Sequence, residues 1–334
     1  FKLEGQIIQR HPEFDMTDRL FSKIDHDTGT VTLADGSVWP LTTNDFPTVD
    51  PADPYSLTPQ EQHIIDKLVS EFVTADHLHR HIDFLYSHGS MYKVANGNLL
   101  FHGCVPLNED GTFSSMNCLG TCTLAAIISI CDHIARRAWR VGDRDALDWM
   151  WYLWIGFNSP ASGRLVRTFE RAYIADKSTW SADDPYFTLT KSPSVCDDIM
   201  REFGVAPMAC SPTGHIINGH TPVKTTKGDT IRAEGKLLVI DGGFCRAYHP
   251  KTGIAGYTLI SSSRGCRLKR TGLYDGAEAL TRNVDIESET NRFDQADRRR
   301  MVSDTDTGAK IRSQIQDLRQ LLDAYRNGAI EERA

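Results

Sequence analysis

Twice in this sequence an apolar run breaks off at a histidine beside a glycine. Asn98-Leu99-Leu100-Phe101 ends in His102-Gly103, and Ile216-Ile217-Asn218 ends in Gly219-His220-Thr221-Pro222. A third run, Lys236-Leu237-Leu238-Val239-Ile240, ends in Asp241-Gly242-Gly243. Short apolar runs bounded by turn residues read as buried strands. Open α/β sheets build their sites at the carboxyl ends of strands. Glycine there lets the backbone turn sharply and lets a ligand approach closely. A neutral imidazole fixed in such a place is the commonest protein ligand for a transition metal. Taken singly, each histidine reads equally well as a satisfied core or surface side chain. The repetition is what points to a site.

The rest of the chain divides by texture. Residues 1–16 read as the end of a helix, with Leu3, Ile7 and Ile8 at helical spacing, so the chain is expected to open inside an element of something longer. Residues 28–45 read as a hairpin, Gly29–Leu33 against Ser37–Trp39, turned by Asp35-Gly36. Thr58-Pro59-Gln60-Glu61 opens a helix with a Thr cap, Pro at its first position and Glu closing a capping box. Ile64, Ile65, Leu68, Val69, Phe72 and Val73 then repeat at helical spacing and are expected to face a core. Helices are predicted over about 121–140 and 144–155, with Trp139, Trp149, Trp151 and Trp154 as core or interface candidates. Ser192-Pro193 opens another helix that stops at Gly204. Strands follow around 214–218, 236–240 and 255–260, and a final helix is predicted from about Gly308 to Asn327. Mixed elements with strands clustered late predict an α/β sandwich with a helical insertion.

Composition narrows the classes. With 334 residues, 40% hydrophobic and 24% charged, the chain reads as an ordinary globular protein of one large domain or two modest ones. No run approaches the roughly 18 apolar residues of a membrane span, and the stretch around Leu124–Ile130 reads as a buried helix. Thirty-seven Lys and Arg against 44 Asp and Glu leave a net charge of −7 without a basic stripe, which argues against general nucleic-acid binding. The opening Phe1-Lys2-Leu3-Glu4-Gly5 has no secretory pattern, and the eight scattered cysteines read as buried free thiols in a reducing compartment.

Asn-Gly-His-Thr-Pro, a short charged connection and then Leu-Val-Ile-Asp-Gly-Gly resemble the closing sequence of the calcineurin-like metallophosphatases. More narrowly, 214–224, 235–244 and 251–259 resemble class III fructose-1,6-bisphosphatase. So do Phe101-His102-Gly103-Cys104-Val105-Pro106, His81–Tyr92, Thr168-Phe169-Glu170-Arg171 and Asp304–Gly308. The resemblance implies an α/β metallophosphatase β-sandwich flanked by helices, of which this chain is the later portion only. It divides the chain into the middle of that domain with an accessory hairpin and helix (1–110), a helical insertion (111–204), the closing strands (205–265) and a C-terminal extension ending in a helix (266–334).

The implied chemistry is hydrolysis of the 1-phosphate of fructose 1,6-bisphosphate, a step of gluconeogenesis, at a two-metal centre with manganese as the expected ion, in a cytoplasmic setting. By position in the motif, His102 and His220 are the metal ligands. His215 is open between a helper or structural role and ligation, and Asp241 between orienting a metal-bound histidine and forming a turn. Arg164, Arg171, Lys224, Arg246 and Lys251 are candidates for the substrate phosphates because they lie in matched segments. Arginine suits bidentate phosphate contact, and simple solvation is the other reading for each.

The family's front half carries Gly-Asp-x-x-Asp and Gly-Asn-His-Asp/Glu type motifs, and these are not found here. Gly142-Asp143 stands in a helical, charged context and Gly228-Asp229 in a turn. The expected partners are therefore an N-terminal half that supplies the remaining ligands and the proton donor, and a second copy of the chain. Two rivals stand beside this reading: a phosphomonoesterase or protein phosphatase of the same fold, and a non-catalytic regulatory half. Weaker features read as structural. His77 and His81 lie one helical turn apart without a third ligand, Cys118 and Cys122 lack a second pair, and Cys104 is followed by packing residues.

Overall fold

Helix α1 (Lys2–Arg10) buries Ile8 and ends at His11, whose ring stacks on Phe14 at 4.7 Å. The structure, a computed structural model, describes residues 1–17, 20–33, 35–116, 119, 123–163, 172–180, 183–205, 214–226, 228–272, 281, 288–296 and 298–331. The chain forms two compact units, Phe1–Met91 with Gly103–Thr188 and Tyr92–His102 with Leu189–Ala334. Among the described residues, no helix is long and apolar enough to cross a membrane.

In the first unit, β1 (Ile24–Asp25), β2 (Thr30–Thr32) and β3 (Val38–Pro40) form an antiparallel sheet, which realises the predicted hairpin with one further strand. Helix α2 (Pro59–Val73) opens on the predicted capping box. Thr58 Oγ1 accepts from the Glu61 backbone N–H, and the Glu61 carboxylate accepts from the Thr58 N–H. Its apolar stripe departs from expectation: Ile64, Leu68, Val69, Phe72 and Val73 are exposed, Phe72 by 64%. Helical spacing fixes which residues share a face; it does not fix what covers that face. Helix α3 (Asp76–His88) likewise buries none of its residues.

The core of this unit lies instead between α4 (Leu124–Arg140) and α5 (Arg144–Ile155), where Ile127, Cys131, Trp149, Tyr152 and Ile155 pack with Phe14. Trp154, on the other face of α5, is 69% exposed. Asp143 caps α5 by accepting from Ala146 N–H and pairs with Arg137, so Gly142-Asp143 is a helix start. Cys118 and Cys122 lie outside the described residues.

The second unit is built on a five-stranded sheet. Strand β4 (Tyr92–Ala95) pairs antiparallel with β5 (Asn98–Phe101). Helix α6 (Pro193–Glu202) precedes β6 (His215–Asn218), and β7 (Ile231–Arg232) and β8 (Leu237–Val239) follow. The order is β4-β5-β6-β8-β7, with β5, β6 and β8 parallel and antiparallel strands at both edges. Leu99, Ile216 and Leu238 lose all their accessible surface. Strands covered on both faces read as continuous apolar runs, and these three runs are what the sequence shows. Fully burying each such side chain contributes about 1.5–3 kcal/mol.

Strands β9 (Gly256–Ser262), β10 (Gly265–Thr271) and β11 (Ser288–Gln295) form a separate antiparallel sheet, with β10 in the middle. Helix α7 (Asp306–Arg326) closes the described chain. Its Ile311, Ile315, Leu318, Leu322 and Tyr325, which the sequence places on one side, are all exposed. The result is mixed α/β, with two sheets in the second unit.

Candidate metal centre

Three adjacent parallel strands deliver one polar side chain each from their carboxyl ends: His102 after β5, His220 after β6 and Asp241 after β8. The strand ends are tied by backbone hydrogen bonds. Gly219 N–H donates to the His102 carbonyl at 2.9 Å, Ile240 N–H to Asn218 at 2.9 Å and Val223 N–H to the Asp241 carbonyl at 3.0 Å. The two imidazoles converge, with His102 Nε2 at 3.0 Å from His220 Nδ1. Two imidazole nitrogens each about 2.0–2.1 Å from one ion stand roughly 3 Å apart, so the pair fits a shared cation.

His220 is held there at a cost. Its φ of 68° lies in the left-handed region, which only a few per cent of non-glycine residues occupy. The Asp241 carboxylate accepts the His220 backbone N–H and sits close enough to both imidazoles to feel their charge. Burial pushes the Asp241 carboxyl above the usual carboxylate range, against the pull of His102, His220 and that hydrogen bond. Gly242 allows the loop to follow: a Cβ there would stand 1.8 Å from the Ala255 carbonyl oxygen. The Asp-Gly-Gly sequence thus places a carboxylate at the strand end and then lets the backbone press against segment 252–256.

Lys224, Arg246 and Lys251 are exposed, the first two in loops that leave the carboxyl ends of β6 and β8 and Lys251 in the short helix His249–Thr252 that follows. Thr225 N–H donates to the Thr252 carbonyl at 2.8 Å, which brings the backbones beside Lys224 and Lys251 together. Arg164 and Arg171 lie outside the described residues. Cys104 is fully buried, and its thiol is held well above its ordinary value by burial and then by Asp184, which makes it inert packing.

His215 stands apart. It begins β6, and His220 follows the strand's other end five residues later. Its neighbours are Cys266 and Asp294, the latter paired with Arg300, and the sequence reading did not connect these three residues to it. The β11 sequence, Ser-Glu-Thr-Asn-Arg-Phe-Asp-Gln, has neither an apolar run nor clean alternation, so no signal in it marked a strand.

A mixed sheet that ends parallel strands on two convergent histidines and a carboxylate defines an α/β protein with its polar site at the strand ends. The chain belongs to the family described as Firmicute fructose-1,6-bisphosphatase, which matches residues 1–327. It is 48% identical, over 99% of its own length, to a "Fructose-1,6-bisphosphatase class 3" of Clostridium novyi, covering 51% of that protein. It is 44% identical to one of Parabacteroides distasonis, over 100% of its own length and 51% of the relative's. The chain therefore spans about half the length of these curated relatives. No solved structure matches it.

Proposed function

We propose that this chain provides the later part of a two-metal centre that hydrolyses fructose 1,6-bisphosphate to fructose 6-phosphate and phosphate, in gluconeogenesis. The observation that carries the reading is the convergence of His102 and His220 at 3.0 Å on the carboxyl ends of adjacent parallel strands. Support comes from the family to which the chain belongs and from the printed name of its relatives.

In this reading His102 and His220 hold divalent metal, manganese first, together with ligands from the other half of the whole protein. Bound divalent metal supplies phosphate binding and activation of water near neutral pH. The chain's own residues do the positioning. Asp241 anchors the His220 backbone through its N–H, and the strand-end hydrogen bonds keep the two imidazoles in register. Lys224, Arg246 and Lys251 draw the doubly phosphorylated sugar by charge, with Arg164 and Arg171 proposed beside them; local cations outweigh a net negative chain at short range. The calcineurin-like topology, the cytoplasmic setting and assembly with a second copy belong to the same proposal.

The test is phosphate release by the whole protein containing this chain, in manganese, from fructose 1,6-bisphosphate and from a phosphopeptide. Release from the sugar bisphosphate with little from the peptide is expected. Equal release from both favours a broader phosphatase, and a folded, metal-loaded protein that releases neither is a regulatory half.

A further inference from the structure

The amino end of β6 carries a second cluster, distinct from the strand-end histidines. His215 Nδ1–H donates to the Gly235 carbonyl at 2.8 Å, which leaves Nε2 to face the rest of the cluster. That Nε2 is buried, without a hydrogen-bond partner, and 3.5 Å from Asp294 Oδ2. A lone pair facing a carboxylate in a buried place is repulsive unless a proton or a metal cation stands between them. The side chain is 5% exposed, and Asp294 is 10% exposed.

The third member is set by the sheet. Cys266 on β10 is the direct cross-strand partner of Asp294 on β11, so both side chains leave the same face. The β10–β11 register shifts between Cys266 and Arg267, a bulge of the kind that re-aims a side chain. Gly265 makes the close approach possible: its φ is 112°, and a Cβ would meet the Asp294 carbonyl oxygen at 1.9 Å. One ligand atom each from His215, Cys266 and Asp294 lies within 4.8 Å of the others.

We infer that His215, Cys266 and Asp294 form a buried site for one borderline-soft divalent cation of the zinc class, bridging β6 to the β10–β11 hairpin. Nitrogen, thiolate and carboxylate ligands in one set suit zinc rather than magnesium or calcium. A backbone carbonyl fixing the far ring nitrogen is the usual support for a metal-bound histidine. Binding replaces the Cys266 S–H bond by a sulfur–metal bond and releases one proton to solvent. Arg300 is the built-in competitor: its guanidinium donates to Asp294 Oδ2 at 2.6 Å and also hydrogen-bonds the Cys266 side chain. In the metal-free protein it balances the carboxylate; the ion shares or displaces it. The inference does not depend on the phosphatase reading.

The probe is cobalt(II), added to the chelator-stripped protein and followed by absorption. Wild type is expected to show a thiolate-to-cobalt charge-transfer band that saturates at one cobalt per Cys266 and that added zinc bleaches. Cys266→Ser abolishes the band and His215→Gln weakens binding at least roughly tenfold, whereas His102→Ala leaves the band intact. Absence of the band in wild type overturns the inference, as does a band that survives Cys266→Ser or disappears with His102→Ala. Should Cys266→Ser fail to fold, the wild-type titration and His102→Ala decide alone.

Discussion

The two ends of strand β6 carry the same residue type in opposite surroundings. At the carboxyl end, His220 sits in a left-handed turn, partly exposed, with its ring aimed at a second imidazole. At the amino end, His215 is buried, pinned to the Gly235 carbonyl and backed by the Asp294–Arg300 pair. The difference teaches that identity and strand membership do not assign a histidine its work. Exposure and backbone strain mark the end proposed to meet a ligand from solvent, and burial with paired charges marks the end that ties two sheets.

The largest effect is expected at the buried end. Arg300→Met removes the guanidinium that stands 2.6 Å from Asp294 Oδ2 and should destabilise the metal-free protein by about 3–5 kcal/mol. Chemical denaturation with and without zinc checks this, and zinc should recover part of the loss. A change below about 1 kcal/mol would erase the contrast between the ends. At the other end, His220→Gly should leave unfolding free energy within about 1 kcal/mol of wild type, because relief of the left-handed strain offsets the added chain entropy. Phosphate release by the whole protein should nevertheless fall at least roughly 100-fold. A comparable loss of stability would mean that this histidine, too, is structural.

The sequence carried the strand-end site for a physical reason. Parallel strands buried on both faces must be apolar along their length, so a polar residue at their ends stands out, which is how His102 and His220 became candidates; Asp241 entered through the family resemblance. The buried cluster was invisible because Cys266, Asp294 and Arg300 lie far along the chain from His215, on a hairpin whose partner strand has no apolar period. The capping box at Thr58 and Glu61 was legible because its partners are three residues apart. The exposure of Ile64, Phe72 and Leu318 was not, because local spacing says nothing of distant cover.

Smaller effects sharpen the same contrast between local and distant determinants. Thr58→Ala should cost about 1 kcal/mol, read from the denaturation midpoint at constant slope. Lys2, then the Thr58 N–H and Thr48, hold the Glu61 carboxyl at about 2, below its ordinary value. A depressed folded value means that the contribution is present above the unfolded carboxylate value and is lost as pH falls toward 2. Wild type and Glu61→Gln should therefore differ in thermal midpoint at neutral pH and converge near pH 2; a constant difference would refute the linkage. Phe72→Ser and Leu318→Ser should change stability by less than about 0.5 kcal/mol, since both side chains are already exposed.

The central claim is that metal-dependent chemistry belongs to the carboxyl ends of the parallel strands. The most direct measurement compares manganese-dependent phosphate release from fructose 1,6-bisphosphate in the whole protein bearing His102→Ala, His220→Ala or His215→Ala, with folding checked by circular dichroism. The account predicts that the first two lose at least roughly 100-fold while remaining folded, and that folded His215→Ala protein retains most of the rate. A folded His102→Ala protein that releases phosphate at the wild-type rate would contradict it.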